Sequence, residues 1–441
     1  MKKHILTATF VLLTLSCFVS AQSLRGSYFF ETSLQRGKLN AAFAPQNNYV
    51  SVPLIGSVGS EAVSNVGLAN FIFPSGNAPY TFMHENVPAS TFLGGLPEAD
   101  PYLRARTEID LLGGGFRVGE RGYVTVALSA AAETEAIVPN EFLRFAKTGA
   151  NGSYPGPRVN AFSYGIFSAG FSYDLGQLVE GLRIGGRIKL LGGLFAGELD
   201  LRQINLQLQS EKVAVSTDGG GYLAGLTWAD KKIRLAENKG LNGFGVAADL
   251  GFEYRLKLDG FINGVNLSAS VNNLGTLSFN KNVTQLWTGA TASFAGLNGI
   301  SADYDFKTNL DRVVEDFSRL ADIHSAEADG YSHVLEPTIY AGVEVPFLNE
   351  MVSAGLLYYR SMGFNHLMAS ANVSPVRWLN IGLNGTFLGA VNTYGVYAEF
   401  IPKKWVGVFI GLNKATLKTN RQLIPIENFT ESGCFGVNVV F

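Results

Sequence analysis

Cysteine is nearly missing from this chain, with two in 441 residues, Cys17 and Cys434. Cys17 falls in an export-signal pattern, and the one cysteine that then remains can form neither an internal disulfide nor a cysteine-based metal cluster. Charge is scarce as well: Asp, Glu, Lys and Arg make up 16% of the residues, against about 25% in ordinary soluble domains. Neither sign dominates, with 34 basic and 36 acidic residues. That balance excludes a basic nucleic-acid surface and an acidic cation sink, so no nucleic-acid partner is expected. After the first 21 residues no stretch reaches the roughly 18 consecutive apolar positions that a membrane-spanning helix needs.

What is present is apolar and glycine-rich. Hydrophobic residues make up 47%, and there are 51 glycines, more than the usual share of about 7%. This pairing suits many strands joined by tight turns. At the start, Lys2 and Lys3 precede the apolar run Ile5 to Leu15, and Val19-Ser20-Ala21 supplies small residues before Gln22. The pattern is that of a secretory signal peptide over residues 1–21, cleaved between Ala21 and Gln22. Its removal takes the balance from −2 to −4. Lipid attachment at Cys17 is the weaker reading, because Thr14 stands where a leucine is usual.

An exported apolar chain without membrane helices is either a soluble β protein or an outer-membrane barrel, and period-2 alternation bears on the choice. From Phe244 to Leu258 the even positions are apolar, among them Val246, Leu250 and Phe252. The odd ones include Asp249, Glu253, Arg255 and Lys257. Leu182 to Leu190 sets Ile184 and Ile188 against Arg183, Arg187 and Lys189, and Leu103 to Leu111 sets Ile109 against Arg104, Arg106, Glu108 and Asp110. Leu379 to Phe387 repeats the pattern with Asn380, Asn384 and Thr386 on its polar face. A soluble β-sandwich would alternate too, so the connections carry the decision.

Short proline-bearing turns at Pro346 to Asn349, Ser374 to Trp378 and Ile401 to Trp405 place Trp378 and Trp405 where an interfacial aromatic girdle stands. Segments 135–157, 198–242, 275–331 and 416–431 then fall on the opposite, outer side. Thirteen strands from Leu103 to Phe441 need one more for closure, and Tyr49 to Val58 is the candidate. The expected fold is all-β: a transmembrane antiparallel up-and-down β-barrel of about 14 strands, within roughly 12 to 16. Residues 22–102, the first strand included, form an N-terminal segment in which 22–48 and 59–102 partly fill the lumen.

The last strand is the sharpest local feature. Phe435, Val437, Val439 and Phe441 alternate with Gly436, Asn438 and Val440, and the chain ends on the aromatic. Such an ending is similar to the insertion signal read by the barrel assembly machinery, which makes that machinery and outer-membrane lipid expected partners.

Three stretches carry a family resemblance: Leu39-Asn40-Ala41-Ala42-Phe43-Ala44-Pro45 followed by Tyr49-Val50-Ser51-Val52-Pro53, then Phe71-Ile72-Phe73-Pro74, and Leu182-Arg183-Ile184-Gly185-Gly186-Arg187-Ile188-Lys189. Over nearly all of the mature chain, the sequence resembles a family of uncharacterised outer-membrane barrels of the Bacteroidota, related more distantly to the long-chain fatty-acid transporter type. That family usually reads Asn-Pro-Ala-Phe where this chain has Ala41 in place of the proline. The resemblance implies a Gram-negative outer-membrane location and is silent on activity.

Candidate chemistry is thin. His366 shares a face with Ser370 and Asn372, but residues four apart on one strand lie too far apart for a nucleophile and its base. His324 and His333 lie near Asp322, Glu327 and Asp329 in a spacing that matches no zinc or calcium pattern. Gly113-Gly114-Gly115 and Gly219-Gly220-Gly221 lack the lysine of a phosphate loop. Helical spacing occurs at Pro139 to Lys147 and Leu310 to Ile323. No catalytic, cofactor or metal site is expected. The functional candidates are the inward charges Arg183, Arg187, Lys189, Asp249, Glu253 and Arg255, able to line a lumen with ion pairs. The expectation is a passive route for small or amphipathic molecules, with a small hydrophobic or amphipathic ligand as candidate cargo. The alternative is a structural or secretion-accessory barrel whose outer loops dock other envelope proteins.

Overall fold

The computed structural model describes residues 24–73, 80–149, 151–209, 212–229, 232–236, 240–288, 292–294, 323–388, 392–402, 405–414 and 427–441. Residues 1–23, which contain the expected cleavage site at Ala21 and Gln22, lie outside them, as does the helical spacing at 310–323 except Ile323, which opens a strand.

Fourteen antiparallel strands close into a barrel. The first comes in two pieces, β1 (Tyr49–Ser51) and β2 (Val58–Ser64). It is followed by β3 (Tyr102–Val118), β4 (Gly122–Ile137), β5 (Arg158–Asp174), β6 (Leu182–Gln209), β7 (Gly243–Lys257) and β8 (Gly264–Phe279). The remaining strands are β9 (Thr338–Phe347), β10 (Val352–Ser361), β11 (Phe364–Val376), β12 (Leu379–Phe387), β13 (Thr393–Phe400), β14 (Gly407–Lys414) and β15 (Phe429–Val440). Closure is made by β15 against β1 and β2, with Tyr49 opposite Val440 and Val58 opposite Phe435. No edge of the cylinder is left open, which is the condition for placing a sheet in lipid.

The alternation decides which side faces which solvent. Phe167, Phe171, Ile188, Val246, Leu250, Leu383, Val396 and Ile410 point outward and are exposed, whereas Arg187, Asp249, Glu253, Asn384 and Glu399 point inward and are buried. An apolar belt outside and a polar face inside is the arrangement a membrane barrel requires. Among the described residues no helix is long and apolar enough to cross a membrane.

The structure departs from the sequence reading in three places. The first strand does not run continuously from Tyr49 to Val58. Pro53 has no N–H to give the ladder, and Leu54 adopts a left-handed φ of 68°, so the chain leaves the sheet at Ser51 and re-enters at Val58. The start of the 59–102 segment is wall rather than lumen filling: Val58–Ser64 pairs with β15 and β3. Beyond it, Phe71, Phe82 and the short helix α1 (Ala89–Gly94) pack on helix α2 (Asn140–Thr148) in a small apolar cluster of their own on the outer side. Segment 198–242 is also more ordered than a loop, because β6 continues to Gln209 and returns as Lys212–Ala224, raising the sheet above the barrel.

Residues 24–48 do fill the lumen. Two 3-10 turns, Leu24–Ser27 and Arg36–Lys38, fold the segment compactly. Tyr28, Phe29 and Phe43 pack with Tyr340, Leu357, Tyr359 and Met368 of the wall. Phe30 stacks on Tyr397 at 5.7 Å, and Leu34 meets Tyr49, Ile401 and Val440. At about 1.5–3 kcal/mol for each fully buried large apolar side chain, these anchors hold the plug firmly.

Candidate functional site

The lumen is built where the plug meets the charged inner faces of β3, β6 and β7. Strand pleating puts Arg183, Gly185, Arg187 and Lys189 on one face, and pairing sets Arg187 opposite Asp249 and Arg183 opposite Glu253. Arg187 donates to Asp249 at 3.1 Å and Lys189 reaches the same carboxylate at 2.9 Å. Arg255 binds Glu253 at 2.8 Å and also pairs with Glu31 of the plug. All six of these charges are paired on the inner side of the wall, Arg183 with Glu253 at 3.8 Å.

They are not a free lining, however. Arg36 of the plug donates to Glu253 at 3.1 Å, and Arg187 donates to the backbone carbonyl of Gly37. Lys38 spans Glu108, at 3.3 Å, and Asp110 on β3. Arg25 makes a two-pronged contact with Glu61 of β2, both oxygens at 2.8 Å. The wall charges that the sequence offers as lumen lining thus hold a plug whose own charges, Arg25, Arg36 and Lys38, were not singled out. The signal was available: between 24 and 48 the sequence has three basic residues and one acid, Glu31, while the facing strands are rich in carboxylates.

These charges sit where water is scarce. Burial weighs most and opposes the Lys38 ammonium, yet Asp110 and Glu108 outweigh it and hold its pKa above the ordinary lysine range. The same contest at Arg25 is won by Glu61. Burial pushes the Tyr28 hydroxyl up to about 12.

Backbone contact completes the docking. The Asn40 amide donates to the carbonyls of Phe252 and Ala269 at 3.1 and 3.2 Å, and Asn40 is wholly buried. Opposite it stand Gly185 and Gly251, paired across β6 and β7. A Cβ on either would collide with Ala41 or Asn40. Two of the stretches that carry the family resemblance, around Asn40 and around Gly185, thus touch in space.

Between plug and wall a cavity of about 170 Å³ remains, bordered by Lys38, Glu61, Arg106, Glu108, Ser168 and Asn272, among others. Above it the inner face turns apolar, with Phe162, Tyr164, Ile166, Leu191, Leu277 and Phe279 in one buried cluster.

The remaining expectations resolve plainly. Val439 and Phe441 face outward and exposed, with Phe435 and Val437 half-buried on the same side. Trp378 and Trp405 are exposed at the turn end of the barrel, and Trp378 packs edge-on against Phe400. His366 is buried and stacks on Tyr359 at 4.5 Å, while Ser370 is bonded to Asn372 and the carbonyl of Gly355. His333 stacks on Phe162 at 3.8 Å. Among the described residues no cluster of His, Cys, Asp and Glu is placed to hold a metal; Asp322 lies outside them.

A closed barrel with a lipid-facing belt and an occupied lumen defines a plugged outer-membrane β-barrel protein. Over residues 41–413 the chain matches the family of unknown function DUF5723, and it belongs to that family. No curated protein matches its sequence. Among solved structures it is similar to the toluene transporter TbuX of Ralstonia pickettii, at 9% identity over 92% of each chain with a TM-score of 0.40. It is also similar to the P. putida toluene transporter TodX, at 11% identity over 90% of each chain and a TM-score of 0.39. The monoaromatic hydrocarbon channel CymD gives 11% identity over 93% of this chain and 94% of that one, with a TM-score of 0.43. Likeness at this level concerns the fold.

Proposed function

We propose that the protein is a passive, plugged channel of the outer membrane that lets small polar or amphipathic molecules through when residues 24–48 shift from the lumen. One observation supports this reading: between plug and wall lies a cavity of about 170 Å³, bordered by charges of both strands and plug. A barrel serving only as a scaffold has no need of a lumen segment held by Arg36, Lys38 and Arg25 in addition to its apolar packing. The reading gives the chain no enzymatic role, no metal and no cofactor.

The test is solute uptake by liposomes carrying the folded protein, with a graded series of sugars, for the native chain and for Arg36→Met/Lys38→Met. Slow, size-limited swelling with the native protein and clearly faster swelling with the variant are expected. Absence of swelling from both, with folding confirmed by heat-modifiable migration, overturns the proposal.

A further inference from the structure

The cavity has a composition that selects among solutes. Five cations border it, Arg25, Lys38, Arg106, Arg187 and Lys189, against three carboxylates, Glu61, Glu108 and Asp110. Two further carboxylates stand just behind: Asp249 pairs with Arg187 and Lys189, and Glu133 meets Arg106. The charges therefore balance, and a ligand of one sign would leave an uncompensated charge in a largely desolvated space.

Within this balanced shell two charges stand open to the lumen. Arg106 pairs with Glu133 through Nε at 3.4 Å, and its side chain keeps 24% exposure. Among the described residues Glu108 pairs with Lys38 at 3.3 Å, and Lys38 lies closer to Asp110; Glu108 keeps 33% exposure. The two residues are i and i+2 on β3, on one face and roughly 7 Å apart along the strand. A positive and a negative end thus face the same small space.

Around them, three buried residues that border the cavity have polar atoms without hydrogen-bond partners: Arg25 Nε, a donor, and Gln35 Oε1 and Asn272 Oδ1, both acceptors. Their residues are 4%, 1% and 5% exposed. Buried polar atoms left unmatched are costly, and a ligand carrying both acceptors and donors would satisfy them. The volume sets the size. A cavity of about 150 Å³ takes up a molecule as large as benzene, so this one suits a solute of roughly six to eight non-hydrogen atoms.

We infer that the cavity between plug and wall is a binding site for a small zwitterion, an α-amino acid of the size of alanine or serine, with its carboxylate toward Arg106 and its ammonium toward Glu108. The inference deepens the reading of the lumen as a solute route and rests on it for its physiological meaning. The occupancy itself is a separate property of the folded barrel.

The experiment is equilibrium binding of radiolabelled L-serine to the purified full-length protein in detergent, competed by alanine, lactate, ethanolamine and glycerol. Expected is saturable binding displaced by alanine, with lactate and ethanolamine at least tenfold weaker and glycerol without effect. Equal competition by glycerol or by either singly charged analogue overturns the inference, as does absence of saturable serine binding to folded protein. Arg106→Met and Glu108→Gln, each checked for heat-modifiable folding, are expected to weaken binding at least tenfold; unchanged affinity in both folded variants overturns the assignment to this cavity. Liposome uptake separates the two claims: serine binding without solute passage removes the channel reading and keeps the site. Passage of sugars together with absence of saturable serine binding does the reverse.

Discussion

Gly185 and Gly251 stand directly opposite each other on neighbouring strands, and the turn of the plug at Asn40 and Ala41 lies on the bare backbone they leave. The wall is flat there because neither residue carries a Cβ, and a side chain at either point has nowhere to go. Gly185→Val is therefore expected to lift the plug while leaving the strand register intact, since β6 and β7 pair through their backbones. Overpacking of this kind costs about 1–3 kcal/mol. The variant should remain a folded barrel yet show faster protease cleavage within residues 24–48 and faster liposome swelling. Cleavage and swelling at native rates would mean that the plug is not seated by this contact.

The Asp249 carboxylate is fully buried and gathers Arg187, Lys189 and the backbone N–H of Asn273. Asp249→Leu leaves two cations without their partner in the interior, a change worth about 3–5 kcal/mol. The expected result is a clear loss of stability in denaturant titrations of the folded protein. Lys189→Met in the same background should recover part of it, because one of the two stranded charges is then removed.

The lipid belt gives a test that needs no functional assay. Val246→Arg places a charge on the outward face of β7, where the native side chain is exposed, and should destabilise by about 2–4 kcal/mol near the midplane. Glu108→Gln, on the lumen face of β3, leaves Lys38 paired with Asp110 and should cost less. Equal costs at the two sites would contradict the assignment of faces.

Much of the barrel was legible because its periodicity is strict. The even positions of Phe244 to Leu258 and the odd positions of Leu182 to Leu190 identify outside and inside without any tertiary information, and Trp378 and Trp405 mark the turn end. The break at Ser51 was less so, since Pro53 signals an interruption but not that the strand resumes at Val58. The plug was seen as a filling segment and not as a partner. Its binding residues, Arg36 and Lys38, pair with Glu253 and Asp110, which lie more than 70 residues away, and no local pattern records such contacts. The paired glycines were hidden for the same reason: Gly185 and Gly251 matter only as a pair, and they become one when β6 and β7 align.

Lys38 gives the plug a defined pH response. Its pKa in the folded protein lies above the ordinary value of about 10.4. The stability it contributes is therefore fully present below that ordinary value and is lost only as pH rises through the higher folded value. Protease protection of residues 24–48 that depends on Lys38 should accordingly stay flat between pH 7 and pH 10. Lys38→Met should lower protection throughout that window, by leaving Glu108 and Asp110 without their cation. A native protein that loses protection already near pH 8 would show that Lys38 is not the controlling contact.

Phe441 lies on the seam. Phe441 donates its backbone N–H to the carbonyl of Asn48 at 3.1 Å, and its ring lies 6.1 Å from that of Phe116 on β3. It thus touches the elements on both sides of the closure, where the first strand is already interrupted and least able to hold the sheet. Deleting Phe441 removes one backbone contact and the aromatic that faces lipid at the rim. The folded, heat-modifiable form in the outer membrane is expected to fall several-fold, while Phe441→Tyr, which keeps the ring and the backbone bond, should stay near the native level. If the deletion leaves the inserted amount unchanged, closure depends on the β2–β15 pairing alone and the terminal aromatic is not needed for insertion. If Phe441→Tyr falls as far as the deletion, the effect belongs to the unmodified phenyl ring itself, as a recognition signal would require, and not to the seam it covers.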